Sequence, residues 1–295
     1  MYEKRVITFS NGHSFLFMTA SGALAFDGRG WPWEWPLRWA GLLDPKLFTI
    51  VTKTLTRWPR RGHLRWSHPW SVVKKMGQEG VLNAIGLTNN GIDWWIQEVA
   101  PRIFPDYKIV VSIEAEDAVE MVEMIEKVKS EKIVGIELNL SCPNTPSTDD
   151  QTTEKILSLC RTAATATTVP LIAKLSYTHD CQTIVRELDR LKKIEAISIN
   201  SIPWAALFPG LPSPLARYGG GGVSGRVIQQ WSWQMVEEIS RVSKIPVIGP
   251  SVWEYGDIKK VLDRGAQAVS FGSIFVYSPW RPTLFVRRWL DETSQ

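Results

Sequence analysis

The residues with the clearest chemical potential lie in one short stretch, 137–145, which reads Glu-Leu-Asn-Leu-Ser-Cys-Pro-Asn-Thr. An alternating apolar run over 132–140 leads into it and predicts a buried strand. Cys142 then lies between Asn139 and Asn144, where the strand gives way to a loop. A thiol can transfer a proton, and amide side chains can pair with a planar polar ligand through donors and acceptors together. This arrangement is typical of an active site on a βα scaffold.

A structural role for the same cysteine is the alternative. Free cysteine is often buried and usually packs as a small hydrophobic residue. The neighbouring amides of Asn139 and Asn144 favour a site, because burying amides beside an apolar strand is unfavourable unless something pairs with them.

The rest of the chain predicts the scaffold for that site. Amphipathic helical patterns alternate with short apolar strands, for example 118, 119, 122, 125 and 128, then 156, 157 and 160, then 184, 188 and 191. This alternation implies a parallel sheet with helices outside. Eight units favour a closed (β/α)8 TIM barrel over an open Rossmann sheet, and no Gly-x-Gly-x-x-Gly follows a first strand. The predicted strands are near 15–20, 48–53, 108–113, 133–140, 170–175, 196–200, 246–249 and 268–271.

Composition limits the other classes of function. The chain has 295 residues, 44% of them hydrophobic, and a net charge of +4, so nucleic-acid binding has little support. Three widely spaced cysteines predict neither a disulfide framework nor a cysteine-based metal site, and the four histidines show no metal spacing. The N-terminus lacks a signal-peptide pattern, and no apolar run reaches transmembrane length. We expect a single domain, 1–295, in the cytoplasm.

Tryptophan is unusually frequent, with fifteen in the chain. Trp31, Trp33, Trp35 and Trp39 fall together in a segment interrupted by proline and glycine. A cap over the barrel is the favoured interpretation, since tryptophan buries a large area, and a surface for a partner or a membrane is the alternative.

Polar residues recur where the predicted strands end, which is the face that carries the active site in such barrels. Lys53 and Lys174 each end a strand, where a lysine is either solvated or directed at an anion. The glycine run 219–222 predicts a flexible loop, serving as a linker or as a phosphate cradle. Segments 249–252 and 272–273 end the last two strands, where backbone N–H groups frequently form a phosphate site.

The segment 139–145 resembles the catalytic-loop signature of the dihydroorotate dehydrogenase family. Members of this family are FMN-dependent enzymes of pyrimidine biosynthesis built on a (β/α)8 barrel. Further segments are similar to the family in the same order and span nearly the whole chain: 20–22, 52–54, 83–87, 174, 200–201, 222–225, 249 and 272.

The resemblance implies two overlapping sets of binding residues. A planar ligand with a carboxylate, such as orotate, is well complemented by amides, a hydroxyl and a lysine. FMN is expected against Ala20, Ser21, Lys53, Asn139, Lys174, Ile199, Gly225, Gly249, Ser251, Val252, Gly272 and Ser273. Dihydroorotate is expected against Lys53, Asn83, Ile85, Gly86, Leu87, Asn139, Asn144, Asn200 and Ser201.

The same resemblance implies the catalytic residues and the partners. Cys142 is similar to the family's base, which takes the proton from C5 of dihydroorotate while hydride leaves C6 for flavin N5, and Lys53 is the second expected catalytic residue. A thiol pKa is ordinarily near ~8.5, so this role needs surroundings that favour the thiolate. A cysteine here implies the soluble class 1 form. The expected assembly is a homodimer using fumarate or another soluble acceptor, or a chain with a separate electron-transfer subunit that serves NAD.

The chain departs from the family pattern at two places. Ser251 and Val252 stand where the family usually has paired glycines, so weaker FMN binding is expected from the bulk of Val252. Segment 61–65 also differs from the family, near the expected substrate entrance. Two alternatives therefore remain: an FMN oxidoreductase acting on another dihydropyrimidine or enone, and a non-redox barrel that acts as a binding protein.

Overall fold

The structure, a computed structural model, describes residues 5–65, 67–77, 79–140 and 153–294. The strands are β1 (Ile7–Thr8), β2 (Ser14–Phe15), β3 (Phe17–Thr19), β4 (Thr49–Val51), β5 (Val73–Met76), β6 (Gly80–Asn83), β7 (Lys108–Ile113), β8 (Gly135–Asn139), β9 (Leu171–Leu175), β10 (Ile194–Ile199), β11 (Ile202–Pro203), β12 (Gly222–Gly225), β13 (Val247–Gly249) and β14 (Ala268–Phe271). The α-helices are α1 (Trp35–Trp39), α2 (Ile92–Trp94), α3 (Ala118–Val128), α4 (Thr153–Ala166), α5 (Cys181–Leu191), α6 (Trp204–Leu207), α7 (Gln229–Val242), α8 (Tyr255–Asp263), α9 (Ile274–Tyr277) and α10 (Arg281–Thr293).

Eight of these strands form a closed parallel barrel in the order β10-β13-β14-β3-β4-β7-β8-β9. Each of the eight strands predicted from the sequence overlaps one of them, and the predicted (β/α)8 architecture is confirmed. Because all the strands are parallel, their carboxyl ends lie on one face of the barrel, and the loops that follow them meet there.

The lower part of the barrel interior is filled by apolar side chains. Every second residue of a strand points inward, and one layer of these inward positions forms a buried apolar cluster. The hairpin of β1 and β2 closes the bottom of the barrel, with Phe9 and Phe15 packed edge to face at 5.2 Å between ring centroids. Gly135 gives Phe9 its space, since a Cβ at that glycine would lie 3.3 Å from the Phe9 ring. The barrel strands contribute Met18, Val51, Val110, Ile172, Ala196, Ile248 and Ala268.

Two residues further along the same strands, the inward positions become polar. The polar residue lies two positions after the apolar one in each case. The pairs are Val110 and Ser112, Ile172 and Lys174, Ala196 and Ser198, and Val51 and Lys53, the last of which lies just past the end of β4. These side chains are buried or nearly so. The upper layer of the barrel is therefore a polar chamber above an apolar base.

The helices pack their apolar faces on the outside of the barrel. Asp117 caps α3 by accepting a hydrogen bond from Glu120 N (2.9 Å), and Asp180 caps α5 by accepting from Thr183 N (3.2 Å). The buried stripe of α3 consists of Met121, Met124, Ile125 and Val128. The sequence-based stripe of this helix was wrong at Val119 and Val122, whose side chains are exposed. Among the described residues, no helix is long and apolar enough to cross a membrane.

A four-stranded antiparallel sheet, in the order β11-β12-β6-β5, lies beside the carboxyl end of the barrel, and the sequence did not predict it. The glycine run predicted as a loop ends in strand β12. Gly225 has φ +104, and a Cβ there would lie 2.7 Å from Glu79 O, so this position requires glycine. A separate apolar cluster, which includes Leu82, Ile202 and Val223, supports the sheet.

The packing of Phe9 generates the first prediction. We expect Phe9→Ala to lower the free energy of unfolding by about 3–5 kcal/mol, because it leaves a cavity under the barrel. Phe104→Ala is the control, since Phe104 is 43% exposed, and we expect a change of less than about 1 kcal/mol. Urea denaturation followed by circular dichroism measures both. Equal effects of the two substitutions would contradict the closing role of the hairpin.

Candidate active site

A cavity of about 490 Å³ opens at the carboxyl end of the barrel. Its volume is within the range of ligand pockets in proteins. The ends of β3, β4, β9, β10, β13 and β14 line it, and residues of β5, β6 and β12 close one side. The sequence-predicted residues that line it are Ala20, Ser21, Lys53, Asn83, Ile85, Lys174, Ile199, Asn200, Ser201, Gly225, Ser251, Val252, Gly272 and Ser273.

The floor of the cavity is built around the buried carboxylate of Glu137. Its Oε1 accepts a hydrogen bond from Ser112 Oγ (2.9 Å), its Oε2 accepts one from Ser198 Oγ (3.0 Å), and Lys174 Nζ lies 3.4 Å from Oε1. The side chains of Glu137 and Lys174 are only 3% and 11% exposed. A buried carboxylate is tolerated when a cation and hydroxyl donors satisfy its oxygens, as they do here.

Hydroxyl groups extend this network toward the cavity wall. Thr54 Oγ1 lies 2.9 Å from Ser112 Oγ and 3.0 Å from Ser21 Oγ. Asn139 Nδ2 donates to the same Thr54 hydroxyl at 3.3 Å. The floor and one wall are therefore held by one continuous set of short polar side chains.

Asn139 presents a buried hydrogen-bond acceptor. Its side chain is buried, and its Oδ1 has no hydrogen-bond partner among the described residues. It pairs in register with Lys174 on the neighbouring strand. Buried polar atoms are nearly always hydrogen-bonded, so this oxygen is suited to accept from a donor that binds above it.

Lys53 stands where the sequence analysis expected it, on the cavity wall at the end of β4. Its backbone N–H donates to Ala25 O at 2.8 Å. Gly22 is close to the same side chain, since a Cβ there would lie 3.3 Å from the Lys53 Cβ. The small residues at the end of β3 thus allow Lys53 to lie along the wall, and its side chain is 8% exposed overall.

Residues that follow β13 and β14 also line the cavity, and four of them have backbone donors without a described acceptor. The N–H groups of Ser251, Val252, Gly272 and Ser273 donate no hydrogen bond to any described residue. Several such N–H groups directed at one space are a common binding arrangement for phosphate. Ser251 has φ +64, a left-handed conformation that favours glycine.

The tryptophan segment forms another part of the wall. Trp31 and Trp33 line the cavity and stack in parallel, with ring centroids 5.7 Å apart and an interplanar angle of 8°. Trp33 is 57% exposed at the mouth. Glu34, also on the wall, is 2% exposed, and burial raises the pKa of its carboxyl group to about 7, while the N–H of Trp31 opposes that shift. Segment 31–34 therefore caps part of the barrel, as favoured from the sequence, although Trp39 is exposed.

Residues 39–285 match the family model for dihydroorotate dehydrogenase, which is most of the chain. The chain belongs to the dihydroorotate dehydrogenase family. Its relatives include dihydroorotate dehydrogenase A (fumarate) of Lacticaseibacillus paracasei, 29% identical over 272 residues that cover 88% of both chains. The catalytic subunit of dihydroorotate dehydrogenase B (NAD(+)) of Geotalea uraniireducens is 30% identical over 275 residues, covering 89% of this chain and 84% of the relative. The same subunit of Pelobacter propionicus is 29% identical over 291 residues, covering 93% and 89%.

In this dihydroorotate dehydrogenase family member, four of the described residues expected from the family do not line the cavity: Gly86, Leu87, Asn139 and Gly249. Gly86 and Leu87 adopt positive φ angles of 68° and 56°, and a Cβ at Gly86 would lie 2.8 Å from His63 Nδ1, so this turn packs on His63. Gly249 makes room for helix α8, since a Cβ there would lie 2.5 Å from Val261. Cys142 and Asn144 lie outside the described residues.

Two carboxyl residues of the cavity, Glu34 and Glu137, were not predicted from the sequence. Glu137 had a visible signal, because it occupies the same inward face of β8 as Asn139, two residues earlier in the strand. Glu34 had none, since nothing in a tryptophan- and proline-rich segment indicates that a single carboxyl group is buried.

The pairing of Glu137 with Lys174 gives a stability prediction. We expect Glu137→Leu to lower the free energy of unfolding by about 3–5 kcal/mol, because it removes the carboxylate that faces a buried cation. Adding Lys174→Met should restore most of that loss. Glu154→Leu is the control, since Glu154 pairs with Arg161 but is 71% exposed. If Glu137→Leu lowers the free energy of unfolding no more than Glu154→Leu in chemical denaturation, the ion pair does not stabilise the floor of the cavity.

Glu34 predicts a pH dependence of stability. The unfolded carboxyl group has a pKa of 4.5, and the folded one a pKa of about 7. Below pH 4.5 both states are protonated, and as pH rises the unfolded state ionises first. The free energy of unfolding should therefore fall by about 3 kcal/mol up to about pH 7.

Glu34→Gln removes this contribution, because it keeps an acceptor oxygen and cannot ionise. Denaturation curves between these pH values should thus decline less in Glu34→Gln than in the wild type. Glu98→Gln, at a 53% exposed side chain, serves as the control and should follow the wild type. Identical slopes in Glu34→Gln and the wild type would refute the prediction.

Proposed function

We propose that this chain is an FMN-dependent dihydroorotate dehydrogenase, which oxidises (S)-dihydroorotate to orotate in pyrimidine biosynthesis. It is thus an oxidoreductase acting on CH–CH donors. The observation that carries the proposal is the division of one cavity into two complementary parts. Backbone N–H donors at 251–252 and 272–273 form one part, and lysines and amides at 53, 83, 174 and 200 form the other, with the buried Asn139 beside Lys174 on the neighbouring strand. The family's relatives named as dihydroorotate dehydrogenases support the same substrate.

The cavity fits FMN on three independent features. The four N–H groups without protein acceptors suit a phosphate. Gly272 allows close approach at the end of β14, where a Cβ would lie 3.0 Å from the Ala20 Cβ. The buried Asn139 Oδ1, which lacks a partner among described residues, suits a ring N–H. When bound there, FMN would accept the hydride that leaves C6 of dihydroorotate.

The protein's own residues would bind and orient both ligands. Lys53 and Lys174 supply positive charge to the polar edge of a flavin ring or to the carboxylate of dihydroorotate. Asn83 and Asn200, which line the cavity, present donors and acceptors to a planar ring, and Ser201 lies next to them. Glu137 would keep Lys174 in place rather than touch a ligand, since its oxygens already accept hydrogen bonds from serines.

Proton removal is assigned to Cys142. We propose that its thiolate takes the proton from C5 of dihydroorotate, a role that the family resemblance supports and that Lys53 would assist by favouring negative charge nearby. Asn144 is proposed as a further substrate ligand. Both residues come shortly after Asn139, the last residue of β8, in the sequence.

Assembly and location belong to the same proposal. We treat residues 1–295 as one FMN-binding domain of a cytoplasmic, class 1-like enzyme that forms a homodimer. The relatives named as NAD(+) catalytic subunits favour a separate electron-transfer subunit, and the relative named for fumarate favours a self-sufficient enzyme. The free thiols Cys160 and Cys181 are compatible with a reducing compartment.

The half-reaction gives a direct test. Purified protein reconstituted with FMN should show bound oxidised flavin that bleaches on anaerobic addition of dihydroorotate. Cys142→Ala should bleach about 10²–10⁴ times more slowly, because the base is lost. Cys181→Ala should bleach at the wild-type rate, since it removes a thiol that does not line the cavity.

Two outcomes would redirect the assignment. Bound flavin that stays oxidised with dihydroorotate, yet is reduced by another dihydropyrimidine or enone, would move the substrate and keep the cofactor. Protein that binds no FMN would contradict the enzyme and favour a non-redox binding protein, for which Val252 on the cavity wall is the suggestive feature.

A further inference from the structure

Residues 31–34 form one wall of this cavity. Trp31, Trp33 and Glu34 all line it. The wall presents two parallel indole rings and one buried carboxyl group. An aromatic wall of this kind suits the flat face of a planar ligand.

Glu34 holds Trp31 in position. Its Oε2 accepts a hydrogen bond from Trp31 N at 2.8 Å. Gly30, with φ +82, leaves space for this carboxyl group, because a Cβ at Gly30 would lie 2.8 Å from Glu34 Oε2. The segment before Trp31 is therefore shaped around the Glu34 side chain.

Trp31 in turn is connected to the binding residues. Its Nε1 donates to Gly22 O at 3.2 Å, and Gly22 packs directly on the side chain of Lys53. Glu34, Trp31, Gly22 and Lys53 thus form one continuous series of contacts along the cavity wall. A change at Glu34 has a direct structural route to a proposed ligand-binding lysine.

No charged side chain of the described part of the chain compensates a charge on Glu34. Burial raises the pKa of its carboxyl group, the Trp31 N–H lowers it in part, and no cation contributes. Asp27 and Arg29, in the same loop, pair with each other at 2.5 Å. Lys53 lines the same cavity but does not contribute to this shift. Ionisation would therefore place a buried charge with one N–H donor, which is unfavourable.

We propose that Glu34 is a positioning residue of the cavity: its uncharged carboxyl group holds Trp31 against Gly22 and completes the wall on which a planar ligand packs beside Lys53. Ionisation strengthens the hydrogen bond from Trp31 N but leaves a buried carboxylate with no other donor among the described residues, so the ionised side chain turns toward water, which loosens that wall and weakens binding. This inference rests on the proposed function, because FMN is the planar ligand that serves as the probe.

The test measures FMN affinity by quenching of flavin fluorescence at about pH 6 and about pH 8.5, on either side of the Glu34 transition. The FMN phosphate also titrates near pH ~6, so each variant is compared with the wild type at the same pH. From the lower to the higher pH, the fold loss of FMN affinity should be about ten times larger in the wild type and in Glu98→Gln than in Glu34→Gln. Parallel losses in all three proteins would overturn the proposal.

Hydrogen exchange of a peptide covering 23–35 supplies a readout without FMN. The peptide should exchange faster in the wild type than in Glu34→Gln at the higher pH, and at the same rate in both proteins at the lower pH. The two proteins are compared at the same pH because the intrinsic rate of amide exchange itself depends on pH. Equal exchange at both pH values would overturn the positioning role. If wild type binds no FMN at either pH, the proposed function fails, and the exchange result alone decides the role of Glu34.

A second variant keeps the test decisive if Glu34→Gln does not fold. Gly30→Ala should displace the carboxyl group and weaken FMN binding at both pH values, with little further loss as pH rises. Wild-type affinity and a wild-type pH profile in Gly30→Ala would contradict the proposed contact series.

Discussion

The rest of the structure depends on the two-residue alternation of side chains inside a closed barrel. Inward positions on one strand are two residues apart, so Val51 and Lys53, or Ile172 and Lys174, share one interior at two heights. The lower position of each pair is apolar and packs on the hairpin that closes the barrel, and the upper position is polar and faces the cavity. A shift of one residue in register would exchange these side chains with the outer, helix-facing set, so packing and site are fixed together.

This arrangement places charge where water is scarce, and the site is organised by how that charge is satisfied. Glu137 is stabilised by two hydroxyl donors and Lys174. No described residue donates a hydrogen bond to Asn139 Oδ1, and none accepts one from the backbone N–H groups at 251–252 and 272–273. These are the groups that a ligand would satisfy. Glu34 is buried without a cationic partner because its pKa is raised to about 7, which keeps its carboxyl group uncharged below that pH. Polar groups that are hydrogen-bonded within the protein thus fix the shape of the cavity. Polar groups without a partner among the described residues indicate which ligand groups the cavity can bind.

Much of the fold and of the site was predictable from the sequence because both follow local rules. Short β-rich runs separated by helical patterns identified the eight barrel strands, and strand-end polar residues identified Lys53, Lys174 and Asn200 as cavity residues. The α3 stripe was wrong at Val119 and Val122, because the face toward the core follows the helical spacing of 121, 124, 125 and 128 instead. The antiparallel sheet and the burial of Glu34 depend on distant contacts, such as that of β6 with β12, which no local pattern encodes. Cys142 and Asn144, predicted from a motif, lie outside the described residues, and their roles stay predictions.

We propose that the barrel's upper layer binds FMN through its backbone donors and holds dihydroorotate against its lysines and amides. A crystal structure of the protein grown with FMN and orotate tests this most directly. We expect the FMN phosphate on the N–H groups at 251–252 and 272–273 and a donor of the flavin ring on Asn139 Oδ1. We expect orotate in contact with Lys53, Asn83 and Asn200. A phosphate bound elsewhere, or orotate that contacts none of these three side chains, would contradict it.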